Sequence, residues 1–299
     1  MRRGDNKNCR ITKGQRVFDV FNIIFLVCLC VIMFYPMWHV ATASFSDAGE
    51  LSRKNGLMLT SAGFSLSAYK NMFKHPLIMS GYMNSILILV LSVSISMVLT
   101  TICSYVLSRK GVMWNKLFSK MIVFTMFVNG GMIATYLLIA RTLELRDTYW
   151  ALVLPGAISV QNMIIMRTAF QGVPDSLIEA AELDGASHWQ ILWKVVMPLS
   201  KATFAVIALY YSVGVWNSWF NASIYLASRD KYPLQLVMRE ILIANNTDAM
   251  TGSAAQDQES IAETIKYATI VAATVPILCI YPFLQKHFTK GVMIGAVKG

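Results

Sequence analysis

The sequence predicts an all-α membrane protein: six transmembrane helices, with a cytoplasmic helix-turn-helix hairpin between spans four and five. Three observations carry this expectation. The 299 residues are 56% hydrophobic and only 14% charged, with a mean hydropathy of +0.52, more apolar than a soluble domain of this length requires. Six windows, at 20–46, 75–108, 121–140, 148–166, 202–228 and 267–285, contain no Asp, Glu, Lys or Arg. About 20 helical residues cross a hydrocarbon core, and backbone groups in lipid must pair within their own segment, so each window reads as a helix. Finally, the polar stretch "EAAELDGASHWQILWKVVMPL" at 179–199 interrupts the apolar runs with turn and capping residues.

The elements follow in chain order. Residues 1–17 form a basic cytoplasmic arm containing Arg2, Arg3, Lys7, Arg10, Lys13 and Arg16. If the spans alternate, most of the 26 Lys and Arg fall on the side of this arm, which places both termini in the cytoplasm. The net charge of +10 is then a topology signal. No Lys/Arg-dense helix with interleaved aromatics supports nucleic-acid binding. Span one covers about 18–40. "ATAS" at 41–44 mimics a signal-peptidase site, but the preceding apolar run is too long for a signal peptide, so an uncleaved span is expected. In the outer segment that follows, "SLSAYKNMF" suits a short interfacial helix.

Span two, about 82–107, carries Ser92, Ser96, Thr100, Ser104 and Ser108 at four-residue spacing. Such a stripe lets helices approach closely or lines a path, and packing is the preferred reading. Span three, 121–141, contains "NGGM" at 129–132, and span four, 148–166, contains Pro155-Gly156; both are expected to distort. Span five runs over 202–227 and span six over 267–285, followed by a cytoplasmic tail at 286–299. Of the five cysteines, four fall within predicted spans and one in the arm, so no outer disulfide is expected, and their spacing suits packing rather than metal binding.

The hairpin, 174–199, has its own local logic. Ser176-x-x-Glu179 matches a capping box after Pro174 and predicts a helix over 177–183. Gly185 supplies a left-handed turn. Ser187-x-x-Gln190 starts a second helix, which Pro198 ends or kinks. Ala180 and Ala181 allow close approach, while Glu179, Glu182 and Asp184 concentrate negative charge on a cytoplasmic element. That reversal of the prevailing charge suits docking on a basic protein surface better than resting on an anionic leaflet.

These residues carry a resemblance. "EAAELDGAS" followed at the right distance by "MPL" resembles the EAA loop of ABC importer permeases. The C-terminal "GAVKG" resembles the MalG-like branch of carbohydrate importers, and "VWNSWFNASIYL" followed by "YPLQLVMREIL" resembles its LplC-like oligosaccharide permeases. The similarity runs over essentially the whole chain. It implies a type I ABC importer permease fold, with a transmembrane permease domain over 18–285, in a multi-pass protein of the cell membrane. It also implies the partners: a second, MalF-like permease, two cytoplasmic ATPase subunits, and a lipid-anchored extracellular sugar-binding protein. The hairpin would be the coupling element, through Glu179, Ala180, Ala181, Asp184, Gly185, Ala186 and Pro198. The tail residues Gly295, Ala296, Val297, Lys298 and Gly299 would reach the ATPase. The departure at Met197, where the family often has Leu, is conservative.

Absences sharpen the expectation. No G-x-x-x-x-G-K-[ST] is present, so ATP and Mg belong on the partner ATPases and this chain is a non-catalytic transport subunit with no cofactor or metal of its own. No H-E-x-x-H or G-x-S-x-G occurs. No ionisable group sits in mid-span, which weakens an ion-coupled transporter as the alternative; an ABC permease for a non-sugar solute is the other. Sugar paths want aromatic faces and amides together. Tyr211, Trp216, Asn217, Phe220 and Asn221 in span five and Asn129 in span three are the candidates, although Trp and Tyr near a span end also suit an interfacial belt.

Overall fold

A computed structural model describes residues 13–53, 58–74, 76–251 and 264–279. Among them the regular structure is helical, with no strand and one isolated antiparallel bridge between Ser46 and Phe64. The chain divides into two compact units, residues 1–70 with 252–271 and residues 71–251 with 272–299.

In the first unit, α1 (Lys13–Ser44) is one unbroken helix of 32 residues. Its apolar stretch carries no protein cover, and Phe21, Ile24 and Ile32 stand bare; a helix apolar all round and uncovered is one that lipid solvates. The chain then folds back over the end of α1 through α2 (Ala48–Arg53). Trp38 Nε1 donates to the Leu59 carbonyl at 2.9 Å, and the Met58 N–H donates to the Tyr35 hydroxyl at 3.1 Å. Ala43, Leu51, Met58 and Ala62 form a small core beneath this return. The short helix expected in "SLSAYKNMF" is α3 (Ser67–Lys74).

The next elements are α4 (Pro76–Ser108), α5 (Asn115–Phe127), α6 (Gly131–Leu137), which runs on into a π turn at Leu138–Thr142, α7 (Trp150–Val153) and α8 (Val160–Gln171). They are followed by α9 (Asp175–Leu183), α10 (His188–Ile191), a second π turn at Leu192–Val196, α11 (Met197–Leu199), α12 (Lys201–Trp216), α13 (Phe220–Tyr225) and α14 (Leu234–Thr251). The last described helix is α15 (Thr264–Cys279).

The predicted spans are not all straight rods. Among the described residues two helices, α1 from Gly14 and α4, are long and apolar enough to cross a membrane, and the number rises to four if each of two bent pairs is one span. Span three bends by 109° between α5 and α6, where the Asn129 side chain accepts the Gly131 N–H at 3.0 Å. Span four breaks at Pro155-Gly156, because Pro155 has no N–H with which to continue α7. In span five, α12 ends at Trp216 and the chain restarts as α13. The remainder of span six and the tail, including Gly295 to Gly299, lie outside the described residues, as do residues 1–12 of the arm.

The second unit is organised around α4, which packs against α8, α12 and α14. The predicted Ser/Thr stripe is its packing seam, and all five residues are buried. Ser104 Oγ donates to the Met163 carbonyl at 3.0 Å, and Ser96 Oγ reaches the Gly156 carbonyl at 3.5 Å. Near the start of α4, Gly81 permits a close backbone crossing: a Cβ there would lie 3.2 Å from Leu234 Cα and 3.3 Å from Leu234 N. Ser85 Oγ accepts the Leu234 N–H at 2.8 Å, capping the start of α14. Asn84 ties three segments together. It donates to the carbonyls of Asp230 and Tyr232 and accepts from the Tyr149 hydroxyl at 2.9 Å.

Candidate coupling hairpin and polar cavity

The hairpin is closed by backbone geometry. Its first helix starts two residues earlier and by a different device than the sequence suggests. Pro174 occupies the N-cap with extended ψ 130, no side chain caps the end, and α9 begins at Asp175. The expected Ser176–Glu179 box therefore does not form, because Ser176 already lies inside the first turn. At the other end the Ala186 N–H bonds the Ala181 carbonyl at 2.9 Å, and the Gly185 N–H bonds the Glu182 carbonyl at 3.0 Å. This pair of bonds is the Schellman closure, and it needs the positive φ of 77° found at Gly185. Ala181 and Ala186, the two residues such a closure brings together, both pack on the apolar core.

The second helix starts as expected. Ser187 Oγ accepts the Gln190 N–H at 3.4 Å while Gln190 Oε1 accepts the Ser187 N–H at 2.9 Å, which completes a capping box. Pro198 does not end this helix. The turn before it widens to π geometry, with the Met197 N–H on the Leu192 carbonyl, which accommodates a residue that lacks its own N–H. The bend comes two residues later at Ser200, where the stretch His188–Leu199 meets α12 at 87°.

One face of the hairpin is anchored and the other is bare. Ile178, Ile191, Leu192 and Val196 are buried with Met97 and Tyr105 of α4, Met166 and Phe170 of α8, and Ile207 and Tyr211 of α12. Glu179, Ala180, Asp184, Gly185 and Pro198 are exposed, and Ala181 and Ala186 are half-buried. Leu183 at the tip is 89% exposed, and Trp189 and Trp193 stack edge-on in the open. Lys110, just past α4, pairs with Asp175 at 2.6 Å. The hydrogen bond and charge of Lys110 hold the Asp175 carboxyl below the usual carboxylate range. Both side chains are more than half exposed, so the pair adds little stability. A groove of about 600 Å³ beside it is lined by Arg109, Glu179, Glu182 and His188.

A second feature lies deeper in the same unit. A cavity of about 560 Å³ opens beside the break in span four and is lined by Ser159, Gln161, Asn162, Tyr210, Tyr211 and Asn221, among others. Irregular backbone at membrane depth is tolerated where protein or a cavity satisfies it, and here the Ser159 N–H donates to the Tyr211 hydroxyl at 2.9 Å. Of the sequence candidates, Tyr211 and Asn221 reach this cavity. Trp216 does not: it is buried, its Nε1 donates to the Ala273 carbonyl at 3.1 Å, and it lines a separate cavity walled by Tyr82, Leu209 and Pro276. The Asn217 amide donates back to the Val213 carbonyl of its own helix. Phe220 is exposed and packs edge-on against Trp219, and Asn129 is exposed at the bend of span three. Sequence reasoning missed Ser159, Gln161 and Asn162. Their signal was Pro155-Gly156 followed by a Ser159 N-cap, which accepts the Asn162 N–H at 3.4 Å.

Known proteins share this architecture. Protein LplC of Bacillus subtilis (strain 168) is 41% identical over 288 residues, covering 96% of this chain and 97% of that protein. The polygalacturonan/rhamnogalacturonan transport system permease protein YtcP of the same organism is 38% identical, covering 95% of this chain and 99% of that protein. A chain of the crystal structure of a bacterial ABC transporter involved in the import of the acidic polysaccharide alginate superposes with a TM-score of 0.85 at 30% identity, covering 93% of this chain and 98% of that chain. Residues 108–294 match the family described as binding-protein-dependent transport system inner membrane component. With that family's profile spanning the hairpin and more than half of the chain, the chain belongs to the inner membrane components of binding-protein-dependent transport systems.

Proposed function

We propose that this chain is the permease subunit of an ATP-driven oligosaccharide importer, forming half of a translocation path with a second, MalF-like permease. Two ATPase subunits power it from the cytoplasm and an extracellular, lipid-anchored sugar-binding protein delivers the substrate. ATP and Mg are bound by the ATPases. The chain is a multi-pass protein of the cell membrane with both termini cytoplasmic, and residues 174–199 are its coupling element.

The observation that carries this reading is the two-faced hairpin. Its inner face is buried among α4, α8 and α12, its turn is locked at Gly185, and Glu179, Ala180 and Asp184 stand exposed on its outer face. A load applied at Glu179, Ala180 and Asp184 is therefore delivered to three membrane helices rather than absorbed by a loop, which is what a two-state coupling element requires. Gly295 to Gly299 are assigned to the ATPase interface on the family resemblance.

The polar cavity is the place where sugar passes. Its hydroxyls and amides, with the rings of Tyr210 and Tyr211, offer hydrogen bonds and a stacking face for a carbohydrate. Among the described residues no charged side chain lines it, and its donors and acceptors suit sugar hydroxyls. Asn129, Trp216, Asn217 and Phe220 are not among its lining residues, and Tyr211 and Asn221 are the members of the original set retained here.

The test is reconstitution of the assembled transporter in proteoliposomes, with neutral and uronate-containing oligosaccharides presented by its binding protein. Stimulated ATP hydrolysis and sugar accumulation are expected. Glu179→Ala should weaken retention of the ATPase subunits; co-purification unchanged in high salt would contradict the docking role.

A further inference from the structure

The loop after α4 and the first turns of α5 enclose a groove of about 690 Å³ with α8. Arg109, Lys110, Lys116, Lys120 and Arg167 line it, and among the described residues no acidic side chain does. Two of these cations are already engaged. Lys110 pairs with Asp175, and Arg109 donates to Ser108 Oγ and to the Phe170 carbonyl. Among the described residues the other three have no acidic partner. Lys116 and Lys120 are four residues apart on α5 and share a face. Arg167 projects from α8, which packs against α5, and its Nε is shielded from solvent without a hydrogen-bond partner. Like charges at this spacing repel, and a groove focuses their field, so the arrangement attracts an anion.

The rim of the groove says which anion. Trp114, Leu117, Phe118 and Met121 are all about half exposed or more, and they continue into the bare apolar side of α5 at Phe124. Exposed Trp beside basic groups at the end of an apolar helix is the pattern of a membrane–water boundary. A phosphate in the groove would thus sit at headgroup level, with acyl chains running along α5. Basic pockets between membrane helices take anionic headgroups on these grounds. An acidic protein surface would have to cover the apolar Trp114 and Phe118 as well.

From this we propose that the groove between α5 and α8 is a binding site for an anionic phospholipid, with Lys116, Lys120 and Arg167 holding its phosphate. The inference depends on the membrane placement of α5 and not on what the transporter carries.

Native mass spectrometry of the full assembled transporter, extracted from vesicles of equal phosphatidylglycerol and phosphatidylcholine, tests it without substrate or ATP. Preferential retention of phosphatidylglycerol is expected. Lys116→Gln, Lys120→Gln and Arg167→Gln should each lower that preference by about fivefold. Lys116→Arg with Lys120→Arg should keep it, as should Lys201→Gln outside the groove. Equal retention of the two lipids by the unmodified protein would overturn the proposal. So would displacement of phosphatidylglycerol by millimolar inorganic phosphate, which marks a free-anion site, or unchanged retention in the Gln variants with loss of the ATPase subunits, which marks a protein interface. Sugar uptake is measured separately, so a failed transport assay leaves this result standing.

Discussion

The Tyr211 hydroxyl lies 2.7 Å from Thr100 Oγ1, and the same hydroxyl accepts the Ser159 N–H at 2.9 Å. Three membrane helices, α4, α8 and α12, thereby meet at one buried oxygen on the wall of the polar cavity. Tyr211→Phe removes that oxygen and leaves the half-buried Ser159 N–H and the buried Thr100 hydroxyl without it, at a cost of about 1–3 kcal/mol. The expected result is a lower thermal midpoint and reduced uptake. Thr100→Val should cost less in the Tyr211→Phe background than alone, and strict additivity of the two changes would count against a shared bond.

Gly185 is required for its dihedral, not for space, since a Cβ there would meet nothing within 4 Å. A β-branched residue at φ 77° is strained by about 1–2 kcal/mol, whereas Asn tolerates this region. Gly185→Val should abolish substrate-stimulated ATP hydrolysis while membrane insertion stays normal, and Gly185→Asn should retain part of it. Equal activity in the two variants would contradict a coupling role that depends on the closed turn.

Gly81 is the opposite case. Its missing Cβ would press on the backbone of Leu234, which cannot move aside as a side chain can. Gly81→Ala should destabilise by about 1–3 kcal/mol. Gly214→Ala, inside α12 with nothing within 4 Å, should be neutral or stabilising by up to about 1 kcal/mol. Paired thermal unfolding of the two purified variants checks this.

Asp147 holds the loop before α7 to the segment after α13. Its carboxylate bonds Lys231 Nζ at 2.8 Å, Ser228 Oγ at 2.6 Å, and the N–H groups of Ser228 and Ala227, each at 3.0 Å. These bonds, that to Lys231 foremost, hold the carboxyl far below its ordinary range. A group whose folded pKa lies below its unfolded value stabilises the fold fully above the unfolded value, about pH 4, and ceases to do so as pH falls through the folded one. Asp147→Asn should therefore lower the thermal midpoint by a constant amount from pH 5 to 8, with the difference shrinking below pH 4. A difference that grows in acid would refute the assignment.

Much of this was legible beforehand where short-range rules apply. Gly185 and the Ser187–Gln190 box depend on neighbours within four residues, and the Ser92-to-Ser108 stripe depends on helix periodicity alone. The misreadings came from tertiary context. Ser176 looked like a cap, but Pro174 had already set the start of α9. Between spans five and six, α14 docks where Gly81 and Ser85 of α4 receive it, a contact that no short-range rule announces. Trp216 and Asn217 were grouped with Tyr211 by composition. Helical spacing instead puts Tyr211, Gly214, Ser218 and Asn221 toward the cavity and turns Trp216 to the far side.

The greasy tip of the hairpin has a bearing on manufacture. On the coupling role proposed above, a copy without its ATPase would present Leu183, Trp189 and Trp193, all openly displayed, to every chaperone and protease it meets. Cells that make this subunit in excess should then clear the orphans quickly, so that the supply of ATPase sets how much permease survives.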